Sequence, residues 1–183
     1  MNPFFTDLQT ALQENNTLIY ATAVDNLGYL GGGEMALISQ KAFLSGQDPV
    51  AETPSMVPFW KGLLEEIPEE LPHVIQGETW FAMLEEVTAN SFPDQTLEKL
   101  AAGENLVLGT VTRTSSSIPC AKGTKVAIDL NGVLLGTLDN EEAEARVIKA
   151  AADVRDSGMP KLLECPTAIP DDGLLVLLEP VNL

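Results

Sequence analysis

LVLGTVTRTSSSIPCAKGTKVAI, the stretch from Leu106 to Ile128, decides the reading of the fold. It opens on Leu106-Val-Leu-Gly-Thr-Val111, an apolar, β-branched run of the kind a buried strand uses. It closes on a second strand, Lys125-Val-Ala-Ile128, with a hydroxyl- and glycine-bearing loop between the two. Downstream, Asn131-Gly132 is a hairpin signal leading into a third strand, Val133-Leu-Leu135. Glu141 to Ser157 then reads as a helix, with Asp139 and Glu142 placed as a capping-box-like start and Gly158 as its stop. Leu162-Leu163 and Leu174-Leu-Val-Leu-Leu178 supply the last strands.

Upstream, the same order of elements has already passed once. Thr17-Leu-Ile-Tyr-Ala-Thr-Ala-Val24 is a strand, followed by the glycines Gly31-Gly32-Gly33. Met35-Ala-Leu-Ile38, Ala42-Phe43-Leu44, a Pro-bounded helical stretch from Pro58 to Ile67 and Trp80-Phe-Ala-Met-Leu-Glu85 complete that half. At an offset of about 88, Asn2 matches Asn90, Phe4 matches Phe92, Leu18 matches Leu106 and Thr22 matches Thr110. After a change in loop length Gly33 matches Gly123, Ile38 matches Ile128 and Gly46 matches Gly136, and Leu84-Glu85 matches Leu178-Glu179 near the ends. The expectation is an α+β protein of two tandem units, 1–88 and 89–183, packed about a pseudo-two-fold axis so that each buries the other's apolar face.

Charge narrows the partners. Ten Lys plus Arg against twenty-seven Asp plus Glu leave a formal charge of −17 on 183 residues. Such acidity repels nucleic acid and anionic membrane alike. An apolar content of 45% speaks against disorder, and a chain this long buries about 70% of its unfolded surface without disulfides. His73, Cys120 and Cys165 are too few for a four-ligand Cys/His zinc site. The N-terminus lacks the basic and apolar regions of a signal peptide, and no apolar run reaches membrane-span length, so a cytoplasmic protein with two reduced cysteines is expected. Trp60 and Trp80 read as core or interface residues, and the Glu65-Glu66 and Glu69-Glu70 pairs as a solvated face.

The acid is unevenly spread. Residues 1–90 carry two bases and thirteen acids, net −11, whereas 91–183 carry eight and fourteen, net −6. Between Glu104 and Asp129 there is no acid at all, and that gap holds Arg113, Lys122 and Lys125 with Thr114, Ser115, Ser116, Ser117 and Gly123. Hydroxyls, backbone N–H groups and three cations are what a small anion needs, and the alternative is a solvated hairpin loop. Cys120 lies among these cations, which would favour its thiolate, although an inert small residue in the loop is the preferred reading.

From Leu108 to Ile128 the sequence also resembles the opening motif of the XdhC/CoxI family, approximately L-A-T-V-V-R-T-x-G-S-S-P-R-x-x-G-A-K-M-L-V. Arg113, Thr114, Ser117, Pro119, Gly123 and Lys125 fall on its signature positions, so 89–183 keeps R-T-x-x-S-x-P-x-x-x-G-x-K. Asp129-Leu-Asn-Gly-Val-Leu-Leu-Gly136 and Val176-Leu-Leu-Glu-Pro180 are similar to the family's D-G-x-x-x-G hairpin and V-x-x-E-P ending. The resemblance implies a non-catalytic accessory or regulatory protein for molybdenum enzymes of the xanthine or CO dehydrogenase type. Its cofactor would be molybdopterin, a phosphorylated pterin, held by Arg113, Thr114, Ser115, Ser116, Ser117, Cys120, Lys122, Gly123 and Lys125. Its partners would be the apoenzyme or a full-length XdhC-like protein, with a homo-oligomer as a further option. Several departures stand beside the matches. Asn140-Glu141-Glu142 replaces the family's G-G-C, Pro170-Asp171-Asp172 its C-G-G, and Cys120 its arginine, and without a G-x-G-x-x-G no Rossmann domain is expected. Two other functions fit the same residues: a ligand-free scaffold or dimerisation module, and a thiol-dependent sulfur carrier using Cys120.

Overall fold

The computed structural model describes residues 3–14, 18–25, 34–39, 42–47, 70–76, 80–167, 169 and 172–182. The helical stretch expected from Pro58 to Ile67, with Trp60, Glu65, Glu66 and Glu69, lies outside the described residues, as does Asp171. The architecture is mixed α and β, with two five-stranded antiparallel sheets. The chain divides into two compact units, Asn2–Asn90 and Ser91–Leu183.

In the first unit, helix α1 (Pro3–Glu14) precedes strands β1 (Leu18–Asp25), β2 (Glu34–Ser39), β3 (Ala42–Gln47), β4 (His73–Gln76) and β5 (Trp80–Val87). Phe4, Phe5, Leu8 and Leu12 recur at helical spacing and are the buried face of α1. The Phe4 ring meets Tyr20 of β1 edge-on, with centroids 6.1 Å apart. The sheet order is β3-β2-β1-β5-β4.

The second unit runs α2 (Thr96–Ala102), β6 (Leu106–Thr114), β7 (Lys125–Ile128), β8 (Leu134–Leu135), α3 (Glu141–Ser157), β9 (Lys161–Pro166) and β10 (Gly173–Val181). Its order, β8-β7-β6-β10-β9, repeats that of the first sheet strand for strand. The registers also coincide. Ile19 faces Ile38 and Glu86, while Val107, 88 positions on, faces Ile128 and Pro180.

One face of the second sheet carries the core. Val107, Val111, Val126, Ile128, Val176 and Leu178 alternate along their strands and meet Ala143, Val147, Ala150, Ala151 and Val154 of α3. Gly109 sits on the same face, where an added Cβ would stand 2.9 Å from Val126 Cγ2 and 3.2 Å from Leu178 Cδ2, so the neighbouring strands' side chains close over a position that admits none of its own.

Two local expectations need correcting. The N-cap of α3 is Asn140, not Asp139: its side chain accepts from the Ala143 amide at 2.9 Å. Asp139 instead adopts a left-handed φ of 52°, and the residue three beyond the cap is Ala143, which cannot complete a capping box. The third strand starts at Leu134 rather than Val133. The Asp129 carboxylate accepts from the amides of Asn131 and Val133, both at 2.8 Å, and so draws Val133 into the turn.

Candidate functional site

The acid-free loop grows from the end of β6. A register shift between Leu175 and Val176 leaves Thr112 bulged, and its hydroxyl donates to Leu175 O at 3.1 Å. Beyond the bulge, Arg113 and Thr114 emerge at the rim of the sheet. The loop returns through Gly123, whose φ of 89° suits glycine alone and whose amide reaches Val111 O at 2.8 Å. Inside the turn, Ile118 and Cys120 point into the core below α3.

The expected anion-binding residues do not converge. Lys125 leaves the loop altogether: it is 4% exposed, donates to Thr110 Oγ1 at 3.0 Å, and lies 5.5 Å from the centre of the Phe92 ring. Its register partner is Thr110, so strand pairing places the ammonium on the sheet face away from α3. Lys122 and Ser116 stay on the loop, outside the groups that line the cleft described next.

Arg113, Thr114 and Ser115 do come together, at an open cleft of about 510 Å³ whose other wall is Glu164, Asp172 and Gly173. Arg113 has 69% of its side chain exposed and stands 3.9 Å from the equally exposed Glu164, an ion pair that holds little in water. The hydroxyls are turned toward an acid. Ser117 and Thr167 both donate to Asp172 Oδ2, and the Gly173 amide donates to Ser115 Oγ at 3.2 Å. Hydrogen bonds from Ser115, Ser117 and Thr167 hold the Asp172 carboxyl below the usual range, so it is ionised at neutral pH. Asp172 therefore occupies the position from which the serines would have met an anion.

The start of α3, where the family's G-G-C would fall, is closed in the same way. Asn140 satisfies one free amide, and Glu144 Oε1 accepts from Leu138 N at 2.8 Å and Thr137 Oγ1 at 2.7 Å. Glu142 pairs with Arg146 at 3.0 Å. Glu141, Glu142 and Glu144 place three carboxylates in the first turn, where the helix dipole itself attracts negative charge.

Of the two readings of Cys120, its surroundings fit the inert one better than the thiolate. Burial pushes its pKa up, Asp139 and Glu144 push it further, and only a hydrogen bond with Thr124 opposes them. Cys165 is buried in the same core and its pKa is raised by burial too. Both thiols are free.

Sequence reading singled out Arg113, Thr114 and the serines, but it did not single out Glu164 or Thr167 or connect Asp172 to the hydroxyls. Those residues lie some 50 positions along the chain and reach the loop only through the β6–β10–β9 pairing. No local pattern announces them. Among the described residues, no group of three or more His, Cys, Asp or Glu could hold a metal ion. No helix there is long and apolar enough to cross a membrane.

The second unit is thus an open antiparallel sheet with one long helix on one face and a motif-bearing loop at its rim. Residues 99–165 match the model of the XdhC and CoxI family. The match runs from α2 into β9 and takes in the whole Arg113–Lys125 loop, so this stretch is similar to a family associated with accessory proteins of molybdoenzyme maturation. No curated protein matches the chain.

Proposed function

We propose that this chain is a non-catalytic accessory or regulatory protein of molybdoenzyme maturation that has given up holding the cofactor in the family manner. The observation that carries the reading is the family match over 99–165, which includes Arg113, Thr114, Gly123 and Lys125. The equal strand order and register of the two sheets support a tandem duplication, in which the first unit keeps the sheet without the motif.

A phosphorylated pterin does not fit the donors present. The cleft sets one exposed cation, Arg113, against Glu164 and Asp172, and the hydroxyls of Ser115, Ser117 and Thr167 already serve Asp172. At the start of α3 the protein's own carboxylates stand where a phosphate would approach. What remains is work on partner proteins: a molybdoenzyme apoprotein or a full-length XdhC-like protein. The two buried, reduced cysteines suit a cytoplasmic setting.

Native mass spectrometry of protein purified from its own host, together with whatever co-purifies, tests this. Recovery of a molybdenum hydroxylase or an XdhC-like chain with no bound pterin is the expected result. Retained pterin, lost in Arg113→Glu, would restore the cofactor site. Neither partner nor pterin, with a stable oligomer in light scattering, would make the chain a scaffold, the reading favoured by the engagement of the serines with Asp172.

A further inference from the structure

The sheet of the second unit ends on β9, and among the described residues no strand pairs with its outer side. All six residues of β9 keep an unbroken register with β10, so the opposite side presents a regular row of backbone donors and acceptors. Proteins usually blunt such an edge with charge, proline or cover. Here Lys161 stands first and Pro166 last, and the charge within the strand is an acid, the exposed Glu164, which a basic partner would offset rather than avoid. Between them Leu162 is 44% exposed, and Met159 (48%) and Ile169 (58%) flank the strand. Three of the five large apolar side chains exposed among the described residues therefore lie in or beside β9.

Charge decides what could cover this edge. The nearby cations are both engaged by exposed acids, Lys161 with Asp153 at 3.3 Å and Arg113 with Glu164 at 3.9 Å. The chain as a whole carries −17, so two copies repel each other, whereas a basic partner is attracted. We infer that the outer edge of β9 takes an extended, apolar and basic segment of another protein as an added strand. Backbone pairing supplies the register, Leu162 an apolar contact and the surrounding acid the selectivity. This goes beyond the molybdoenzyme reading and stands on the geometry of β9 and the charge of the chain.

The whole protein and a synthetic nine-residue peptide of alternating Val and Lys provide the test. Two controls accompany them: a Val/Glu peptide, and a Val/Lys peptide N-methylated at alternate amides. Fluorescence anisotropy is expected to show saturable, salt-weakened binding of the Val/Lys peptide, at least tenfold weaker for either control. Hydrogen exchange is expected to slow at the β9 amides. Leu162→Lys should weaken binding by tenfold or more, and Leu162→Thr, which keeps β propensity, should do so to a lesser degree if the lysine variant fails to fold. Equal binding of the N-methylated peptide would reduce the effect to charge attraction and overturn the inference. Protection elsewhere than β9, or concentration-dependent protection of β9 without peptide, would overturn it as well.

Discussion

At the scale of single residues, Lys125 shows how a motif position changes meaning once strands pair. In the sequence it stands three residues from Lys122 and looks like a ligand cation. In the fold it is a buried ammonium held by Thr110 and the Phe92 ring. Arg113, at the other end of the same loop, is mostly solvated. Lys125→Glu should therefore lower stability by about 3 kcal/mol or more, since it puts an acid where a cation is solvated by the protein. Arg113→Glu should stay within about 0.5 kcal/mol of the wild type. Urea unfolding of the two variants checks the contrast. Cys120 has a parallel history: the cations near it in sequence are not what surrounds its sulfur. Its native thiol should react with iodoacetamide at pH 7 at least tenfold more slowly than a model thiol, and unfolding should abolish that protection.

At the scale of elements, side chains rather than backbone alone set the boundaries. Asn140 starts α3 by accepting from Ala143, so Asn140→Ala should cost about 1 kcal/mol in chemical denaturation, whereas Asp139→Ala should cost less. The turn before β8 depends on Asp129, whose carboxyl is held below the usual range first by the Val133 amide. Asp172 is held low by its three hydroxyl donors. A carboxyl depressed in the folded state contributes stability above its unfolded pKa and loses it as pH falls through the lower folded value. Stability should thus fall as pH drops below about 4, the ordinary value for Asp. Asp129→Asn, which keeps an acceptor for both amides but cannot titrate, should flatten part of that acid limb in a pH series of urea midpoints.

For the whole molecule, the excess of acid is the governing quantity. Self-repulsion at −17 opposes the compact state, and added salt screens it over a Debye length of about 10 Å at 0.1 M. Raising NaCl from 10 to 200 mM at pH 7 should therefore raise the thermal midpoint by a few degrees, and calorimetry would show it. A midpoint that fell with salt would mean that the ion pairs, such as Lys161–Asp153, outweigh the net charge.

Much of the second unit was legible in the chain because its signals are local. The β-branched run at Leu106, the Asn131-Gly132 turn and the helical stretch closed by Gly158 each carry their structure within a few residues. The strand registers of the two sheets follow the offsets read between the two halves of the sequence. Local sequence determined which residues become strand, turn or helix, because backbone sterics and hydrophobic period act over one or two turns of chain. Tertiary structure alone decided the site. Whether the serines met an anion or an acid depended on β10 bringing Asp172 to the loop. Whether Lys125 was a ligand depended on which face of the sheet β7 gave it. The first outcome rests on β6 pairing with β10 some 60 positions on, which leaves no mark in the order of neighbouring residues, and the second on the register of β7 against β6, where Lys125 faces Thr110.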